Sequence, residues 1–302
     1  MRTYRIPPDQ EGRRLDRLIR EWWPEVNMGL RMGAIRRGQV RLDGRRVPCS
    51  QRLLEGQELT VPWDQEPRRS GSGTPCPAEG RELPRWVIHW DRRLLVANKP
   101  AGWICQPGGG RGTSLPEEVW RLLGVDRGPV PSHRLDVNTT GVVLVPLDGA
   151  LGRELHRLFR EGTIRKLYWA LVRGTCVGEA LVDLPLSKDG RGNVTPSPSG
   201  QPARSVVRPL AVRGGFSLVE VELLTGRQHQ ARVHLAHLGL PILGDVRYGV
   251  RFRGVGRTML HARRVLLPFG ESLGDLAGAA FEAPLYPDMA EAARRLGLGD
   301  FT

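Results

Sequence analysis

A carboxylate among small polar residues marks the stretch of this sequence best suited to chemistry. Asp136 follows Arg134 by two residues and precedes a short polar run that ends at Gly141, after which 142–145 reads as an apolar strand. A strand behind a tight glycine turn can fix the direction of a loop side chain, which suits a nucleophilic or basic carboxylate. Taken alone, the same residues also fit a plain loop with an exposed Arg134–Asp136 ion pair.

The charge balance of the chain indicates a polyanionic partner. Its 302 residues include 45 Lys and Arg against 32 Asp and Glu, which gives a net charge of +13. Such an excess favours a nucleic acid partner, and less often an anionic membrane. The hydrophobic content of 40% is that of an ordinary globular protein. The length fits about two domains.

The cysteines and the hydropathy pattern indicate the compartment. Four cysteines are scattered without paired spacing: Cys49, Cys76, Cys105 and Cys176. This spacing argues against a zinc site or a disulfide framework and suits a reducing compartment. The N-terminus has no apolar signal core, and no apolar run approaches the ~20 residues that span a bilayer. We therefore expect a cytoplasmic monomer with no membrane partner and no bound metal.

Residues 1–64 read as a small unit of two helices and a hairpin. Apolar residues at helical spacing predict a first helix over 15–22, and a second short helix follows it. Asp43-Gly44 lies between two short strand-like runs and is a strong hairpin signal. A strand at 59–61 completes the unit.

This order of elements resembles the small RNA-binding module named after ribosomal protein S-four. The matching pieces are Arg14-Leu15-Asp16, Arg36-Arg37-Gly38-Gln39-Val40, Asp43-Gly44-Arg45 and Glu55-Gly56-Gln57. The resemblance implies an RNA-facing surface that contains Arg31, Arg36, Arg37 and Arg41. The sequence departs from the pattern at Asn27-Met28, where such modules carry Ser-Arg. The alternative interpretation is a small domain with a solvated, arginine-rich face.

The rest of the chain divides into a linker and a larger domain. Residues 65–84 are rich in Pro, Gly and Ser and predict a flexible linker. The glycine run at 108–112 lacks phosphate-loop spacing and is interpreted as a mobile loop. In the domain at 85–302, alternating and helical patterns predict the remaining elements: strands at 86–90, 94–97, 165–172 and 216–224, an amphipathic helix ending at Gly162, and a basic helix over 227–235.

Several motifs of this larger domain together resemble the RluA family of pseudouridine synthases. Three of them, in chain order, are His133-Arg134-Leu135-Asp136-x-x-Thr139-Thr140-Gly141, Lys166-Leu167-Tyr168-x-Ala170-Leu171-Val172-x-Gly174 and Thr225-Gly226-Arg227-x-His229-Gln230-x-Arg232-Val233-His234-Leu235. Others are Lys99-Pro100-Ala101-Gly102, the run 239–245, Tyr248-Gly249 and Leu260-His261-Ala262. The departures are small: Thr140 replaces Ser, Ala231 replaces Ile, and 268–270 lacks the common His-Pro pair.

The resemblance implies a fold, an activity and roles for four residues. The fold is α+β, with a mixed, largely antiparallel sheet, beside the small N-terminal α/β module. The activity is isomerisation of uridine to pseudouridine in RNA, without metal or organic cofactor. Asp136 matches the reacting carboxylate, and Arg232 matches its cationic partner. Tyr168 matches a tyrosine that stacks on the target base, and Arg134 matches an arginine that occupies the space left by the flipped uridine.

Alternatives remain for the histidines, for the activity and for the substrate. His229, His234 and His237 could be metal ligands or solvated side chains, but they share no i, i+4 pair. A non-catalytic RNA-binding or ribosome assembly factor could keep the same fold. Large-subunit ribosomal RNA is the substrate that the resemblance favours, and transfer RNA is the second candidate.

Overall fold

The computed structural model describes residues 1–7, 10–67, 82–107, 112–190 and 192–301. Most of the predicted linker and most of the glycine run lie outside these residues. The chain divides into two compact units, one of Met1–Cys76 with Asp148–Arg153 and one of Pro77–Leu147 with Glu154–Thr302. The predicted α+β class is confirmed. Among the described residues, no helix is long and apolar enough to cross a bilayer.

The first unit contains a four-stranded antiparallel sheet and two helices. Its elements are β1 (Arg2–Arg5), α1 (Leu15–Trp22), α2 (Met28–Arg36), β2 (Arg41–Leu42), β3 (Arg45–Arg46) and β4 (Glu58–Val61). The sheet order is β1-β4-β2-β3. The predicted hairpin joins β2 to β3, and Asp43 and Gly44 both have positive φ, 49° and 73°. That conformation matches the strand twist, which is why Asp-Gly is favoured there.

Apolar packing explains why the first unit is compact. Helix α1 buries Leu15, Leu18, Ile19 and Trp22, the residues that the helical spacing predicts. Around them lie edge-to-face contacts among four aromatic rings, those of Tyr4, Trp22, Trp23 and Trp63. Such rings bury large apolar areas, so this small unit has a core of its own.

The second unit is built on one large sheet. Its strands are β5 (Val87–Trp90), β6 (Leu94–Lys99), β7 (Thr140–Pro146), β8 (Arg165–Arg173), β9 (Ala180–Asp183), β10 (Leu186–Lys188), β11 (Val194–Pro196), β12 (Arg204–Arg213), β13 (Phe216–Leu223), β14 (Leu260–Leu266) and β15 (Ala280–Glu282). The helices are α3 (Leu115–Leu123), α5 (Gln230–His237) and α6 (Pro287–Arg295), with a 3₁₀ segment at Glu271–Leu276. Helix α4 (Gly149–Glu161) has its first turn in the first unit and the rest, from Glu154, in the second.

The sheet order places the strands that carry the site next to one another. The order is β5-β6-β7-β14-β8-β13-β12-β9, β15 pairs with β14, and β10 and β11 form a separate hairpin. Only the β7–β14 pair is parallel among the described strands, so the prediction of a mixed, largely antiparallel sheet is confirmed. Strands β6 and β7 are buried along their whole length, which makes the centre of the sheet a rigid support.

Gly141 is required where β7 leaves the loop that carries Asp136. Its φ is 115°, and a Cβ at this position would lie 2.2 Å from the carbonyl oxygen of Ala262 in β14. A side chain would therefore clash with backbone and not merely with another side chain. The glycine allows β7 and β14 to pair in parallel at the point where the loop ends.

The predicted basic helix over 227–235 is wrong at its start. Helix α5 begins at Gln230, because His229 has the left-handed conformation, with φ 54° and ψ 14°. The amide of Gln230 stabilises the preceding turn: its Oε1 accepts from the Arg227 N–H at 3.0 Å and from Thr225 Oγ1 at 2.7 Å. Arg227 and His229 consequently lie on a turn at the helix entrance.

Candidate active site

An open cleft of about 330 Å³ lies at the junction of three segments of the second unit. The loop before β7 contributes Arg134 and Asp136, strand β8 contributes Tyr168, and the turn and first residues of α5 contribute His229 and Arg232. Residues distant in sequence therefore meet in one concave, polar site. The cleft brings together all four residues that the larger-domain motifs single out.

Asp136 forms an ion pair with Arg232 across 96 residues of sequence. The Nη1 of Arg232 donates to Asp136 Oδ2 at 2.9 Å. The Asp136 side chain is 23% exposed and that of Arg232 12%, so the pair is partly desolvated but open to a ligand. The surface ion pair with Arg134 is not formed; Arg134 lies exposed at the rim of the cleft.

Asp245 fixes the guanidinium of Arg232, a contact that the sequence interpretation missed. Arg232 Nε and Nη2 donate to the two oxygens of Asp245, both at 2.7 Å, and the Asp245 side chain is fully buried. Burial acts to raise the pKa of Asp245, but the hydrogen bonds and charge of Arg232 outweigh it and lower that pKa. Burial likewise acts to lower the pKa of Arg232, and the two carboxylates raise it above its ordinary value. Asp245 and Arg232 are therefore both charged.

Tyr248 contacts both Arg232 and His229. Its ring lies under the guanidinium carbon of Arg232, 5.0 Å from the ring centroid, in a cation–π arrangement. Its hydroxyl lies 2.9 Å from His229 Nδ1 and accepts from the Val194 N–H at 2.9 Å. Strand β11 is thereby connected to the cleft. The only sequence signal for Asp245 and Tyr248 was the motif Gly244-Asp245-x-x-Tyr248-Gly249, for which no role was assigned.

Tyr168 presents a neutral phenol to the cleft. It lies on the buried face of β8 and is 8% exposed. Burial, and to a lesser degree the charge of Asp136, raises the pKa of Tyr168 well above its ordinary value. The hydroxyl therefore stays protonated and can donate a hydrogen bond but cannot act as a base at neutral pH.

Lys99 anchors the loop that carries Asp136. The side chain is fully buried, and Nζ donates to the carbonyl oxygens of Pro100 at 2.9 Å, Trp103 at 2.9 Å and Val137 at 3.0 Å. Three acceptors match the three hydrogens of an ammonium group. Burial lowers the pKa of Lys99 to about 8, so the group is charged at neutral pH. Because Val137 follows Asp136, this contact fixes the backbone beside the carboxylate.

His234 of α5 is held by contacts within the fold. His234 is fully buried, with Nδ1 3.0 Å from Ser205 Oγ and Nε2 3.2 Å from the Leu184 carbonyl oxygen. Both of its ring nitrogens are thus occupied within the fold. Across the described part of the chain, no three His, Cys, Asp or Glu side chains are arranged to hold a metal ion.

The four arginines predicted to face RNA lie in the first unit. Arg36, Arg37 and Arg41 are exposed, whereas Arg31 is half-buried. Arg31 Nη1 donates to the carbonyl oxygens of Arg20 and Trp23, each at 3.1 Å. Arg31 therefore also closes the end of α1, which leaves fewer of its N–H groups for a ligand.

Comparison with known proteins agrees with this geometry. Residues 93–237 match the family described as RNA pseudouridylate synthase. An uncharacterised RNA pseudouridine synthase of Chloroflexus aurantiacus is 34% identical over 274 residues, 87% of this chain and 82% of that protein. Ribosomal large subunit pseudouridine synthase C of Vibrio cholerae is 31% identical, with 86% of each chain covered.

A solved structure shares the fold. Human RNA pseudouridylate synthase domain containing 4 superimposes with a TM-score of 0.60 at 26% identity, covering 72% of this chain and 95% of that one. The curated relatives are also matched over most of their own length. The chain belongs to the RluA-type family of RNA pseudouridine synthases, isomerases that act on RNA.

Proposed function

We propose that this pseudouridine synthase modifies large-subunit ribosomal RNA. The observation that supports the proposal is a partly desolvated, ion-paired carboxylate, Asp136, in an open cleft. A relative of this chain in Vibrio cholerae is named a ribosomal large subunit synthase. The net charge of +13 favours a large polyanion. Transfer RNA remains the alternative substrate.

Asp136 supplies the reacting carboxylate in this proposal. Conversion of uridine to pseudouridine breaks the bond between ring nitrogen and sugar and rejoins the same base through a ring carbon. A carboxylate can assist either as a nucleophile or as the base that removes a ribose proton. Asp136 suits both roles, because one of its oxygens is bound by Arg232 while the side chain stays accessible from the cleft.

Arg232 forms an ion pair with Asp136 and orients its side chain. The guanidinium is itself fixed by the bidentate contact with Asp245, so its Nη1 is directed at Asp136. A buried ion pair that holds an accessible carboxylate in a cleft favours an enzyme over a non-catalytic RNA-binding protein.

Tyr168 and Arg134 receive the nucleotide in this proposal. Tyr168 offers a ring for stacking on the uracil and a hydroxyl that can donate near the bond that breaks. The target uridine must leave its helical stack to reach a cleft of this kind. Arg134, exposed at the rim, fills the space that the base vacates, and a guanidinium plane can stack on the neighbouring bases.

Residues 1–64, the main part of the first unit, serve as an RNA-binding module of the S-four type. A linker at 65–84 joins this module to a catalytic domain at 85–302. Arg36 and Arg37 are the strongest candidates for phosphate contacts, since both are exposed near the end of α2. Arg31 and Arg41 belong to the same surface. Asn27 caps α2 through a 2.8 Å hydrogen bond from the Gly29 N–H, and the neighbouring Met28 is exposed where the module usually has a basic residue.

Tritium release tests this proposal directly. Large-subunit ribosomal RNA labelled with tritium at carbon five of uracil loses its label when that carbon forms the new bond to the sugar. We expect release with the native protein and none with Asp136→Asn, whose RNA affinity should stay within several-fold. Release from transfer RNA alone would overturn the ribosomal assignment. Release by Asp136→Asn at even a few per cent, with deamidation excluded, would overturn the role of Asp136.

Mapping pseudouridines in the host RNA then identifies the site. RNA from cells with and without the protein should differ at one or more uridines of the large-subunit RNA. A protein that binds this RNA but changes no uridine would be the non-catalytic binding factor.

A further inference from the structure

His229 has one ring nitrogen directed at Asp136 and the other at Tyr248. Its Nε2 lies 3.8 Å from Asp136 Oδ2, and its Nδ1 lies 2.9 Å from the Tyr248 hydroxyl oxygen. The side chain is 11% exposed, so it lies in the wall of the cleft. None of the roles proposed above uses this histidine.

The hydrogen bonds of Tyr248 select one tautomer of His229. The Tyr248 oxygen already accepts from the Val194 N–H, and its own hydrogen can be donated to His229 Nδ1. A neutral imidazole that accepts at Nδ1 carries its single hydrogen on Nε2. In this tautomer the hydrogen of His229 points at the oxygen of Asp136 that Arg232 also binds.

The charged groups around His229 favour the neutral ring. Burial lowers its pKa, and the cations Arg232 and Arg247 lower it further, whereas the anions Asp136 and Asp245 act in the opposite direction. The sum lowers the pKa of His229 from its ordinary value. The ring is therefore an uncharged N–H donor at neutral pH and not a second cation.

The backbone conformation of His229 supports a functional role. A left-handed φ is uncommon for a residue other than glycine, and such conformations cluster at functional sites because the surrounding structure must maintain them. Here the side chain of Gln230 maintains the turn. The conformation places the imidazole between Tyr248 and Asp136.

We propose that His229 is a positioning residue for the isomerisation: its Nε2–H and Arg232 together bind Oδ2 of Asp136 and leave Oδ1 for the substrate. Among the described residues, the side-chain contacts of Asp136 go to Oδ2. This inference rests on the catalytic role proposed for Asp136. The 3.8 Å separation is longer than a hydrogen bond, and catalytic contacts of this kind shorten when substrate fills the site.

Two amide variants distinguish the roles of the two ring nitrogens of His229. A glutamine amide extends to the position of Nε2 and can donate to Asp136, whereas an asparagine amide extends only to Nδ1 and keeps the contact with Tyr248. Asparagine also tolerates the left-handed conformation better, so backbone strain works against the expected result. We expect His229→Asn to lower the single-turnover rate roughly 10–100-fold, the scale of a misplaced reacting group, while RNA affinity changes little.

The glutamine variant provides the rescue. We expect His229→Gln to recover most of the rate lost in His229→Asn, because it restores a donor to Asp136. If both folded variants keep the full rate, or if both lose it equally, the Nε2–H has no positioning role and the proposal is wrong.

Tyr248→Phe tests the tautomer selection without removing the ring under Arg232. We expect it to lower the rate in the native background, because the Nε2–H tautomer is no longer favoured. In the His229→Asn background, it should have little further effect, as for residues that act through one another. An equal rate loss in both backgrounds would show that Tyr248 and His229 act independently, which overturns the proposal.

Asp136→Asn, measured alongside, separates this inference from the proposed function. An active Asp136→Asn enzyme would overturn both. An inactive Asp136→Asn enzyme beside a His229→Asn enzyme at the native rate would overturn only the role of His229.

Discussion

Arg232 binds Asp245 through two parallel hydrogen bonds of 2.7 Å, with Asp245 fully buried behind it. The bidentate contact uses one edge of the guanidinium and turns Nη1 towards Asp136. Only an arginine has the planar set of donors needed to join two carboxylates in this way. The buried aspartate thus determines the direction from which the reacting carboxylate is held.

Asp245→Asn should impair both folding stability and catalysis. An asparagine amide presents N–H groups to the guanidinium and leaves a buried cation partly unpaired, which costs about 3 kcal/mol of the free energy of unfolding when a buried pair is broken. We expect a large loss of single-turnover rate as well. Urea unfolding and tritium release measure the two effects.

Asp288→Asn is the matched control for that variant. Asp288 also binds an arginine, Arg257, through two hydrogen bonds of 2.6 and 2.8 Å, but its side chain is 48% exposed and outside the cleft. We expect a smaller loss of stability and an unchanged rate. Equal rate losses in the two variants would show that the Asp245 contact has no special relation to catalysis.

Lys99→Met should destabilise the protein, whereas Lys166→Met should not. Lys99 donates to three carbonyl oxygens from a fully buried position, so its loss leaves polar groups unsatisfied, at about 2 kcal/mol or more. Lys166 is also largely buried, and burial lowers its pKa, but among the described residues its ammonium has no hydrogen-bond partner. Unfolding midpoints of the two variants compare the same chemical change in two surroundings.

The tritium-release rate of Lys99→Met shows whether Lys99 positions Asp136 or only stabilises the fold. Because Lys99 binds the carbonyl of Val137, its loss should slow turnover even under conditions where the variant is folded. A folded Lys99→Met protein with the native rate would mean that Lys99 stabilises the fold without positioning Asp136.

Local patterns in the sequence were sufficient for some of the elements. Alternation and helical spacing are local properties, so α1 and strands such as β8 could be predicted from them. The pairing of Asp136 with Arg232 was implied by motifs in a resemblance to a family. The start of α5 could not be predicted, because it depends on contacts of the Gln230 side chain with Thr225 and Arg204, which only the folded chain brings together.

The same limit applies to Asp245 and Tyr248. Their motif was visible in the sequence, but an aspartate and a tyrosine three residues apart fit an ordinary turn, and the Asp245 carboxylate does accept the N–H groups of Arg247 and Tyr248. Their second function, contact with Arg232 and His229, depends on the packing of this turn against the entrance of α5. No pattern within the turn itself indicates that packing.

Two histidines, the half-buried His133 and the fully buried His261, should make the protein less stable as the pH falls below about 6.5. Burial lowers the pKa of His133 and that of His261 to about 3 from an ordinary 6.5. Each accepts a hydrogen bond in its neutral form, His133 from the Leu144 N–H and His261 Nδ1 from Thr140. At pH 5 the unfolded chain binds one proton on each of these histidines and the native protein does not. The contribution of the two neutral rings to the free energy of unfolding is therefore fully present above pH 6.5 and is lost as the pH falls towards 3.

Between pH 6.5 and 5, we expect the free energy of unfolding to fall by up to about 2 kcal/mol for each histidine, at 1.36 kcal/mol per unit. Urea unfolding at several pH values measures it, and calorimetry in buffers of different ionisation enthalpy counts the protons taken up on unfolding. Uptake of clearly less than one proton at pH 5 would contradict the neutral state of the two rings in the native protein.

Neutralising Arg36 and Arg37 should weaken the binding of long RNA and make it less dependent on salt. If both side chains contact phosphates, the double variant Arg36→Gln/Arg37→Gln should reduce the slope of log K against log salt concentration by roughly 0.7–0.9 per lost contact. Filter binding between low and moderate salt measures the slope.

Arg17→Gln/Arg20→Gln, which removes two exposed charges from α1 of the same unit, is the control for net charge. At saturating RNA the tritium-release rate should be unchanged in both, since neither pair lines the cleft. Equal slopes for the two double variants would mean that the RNA responds to total charge, and that the end of α2 is no specific binding surface.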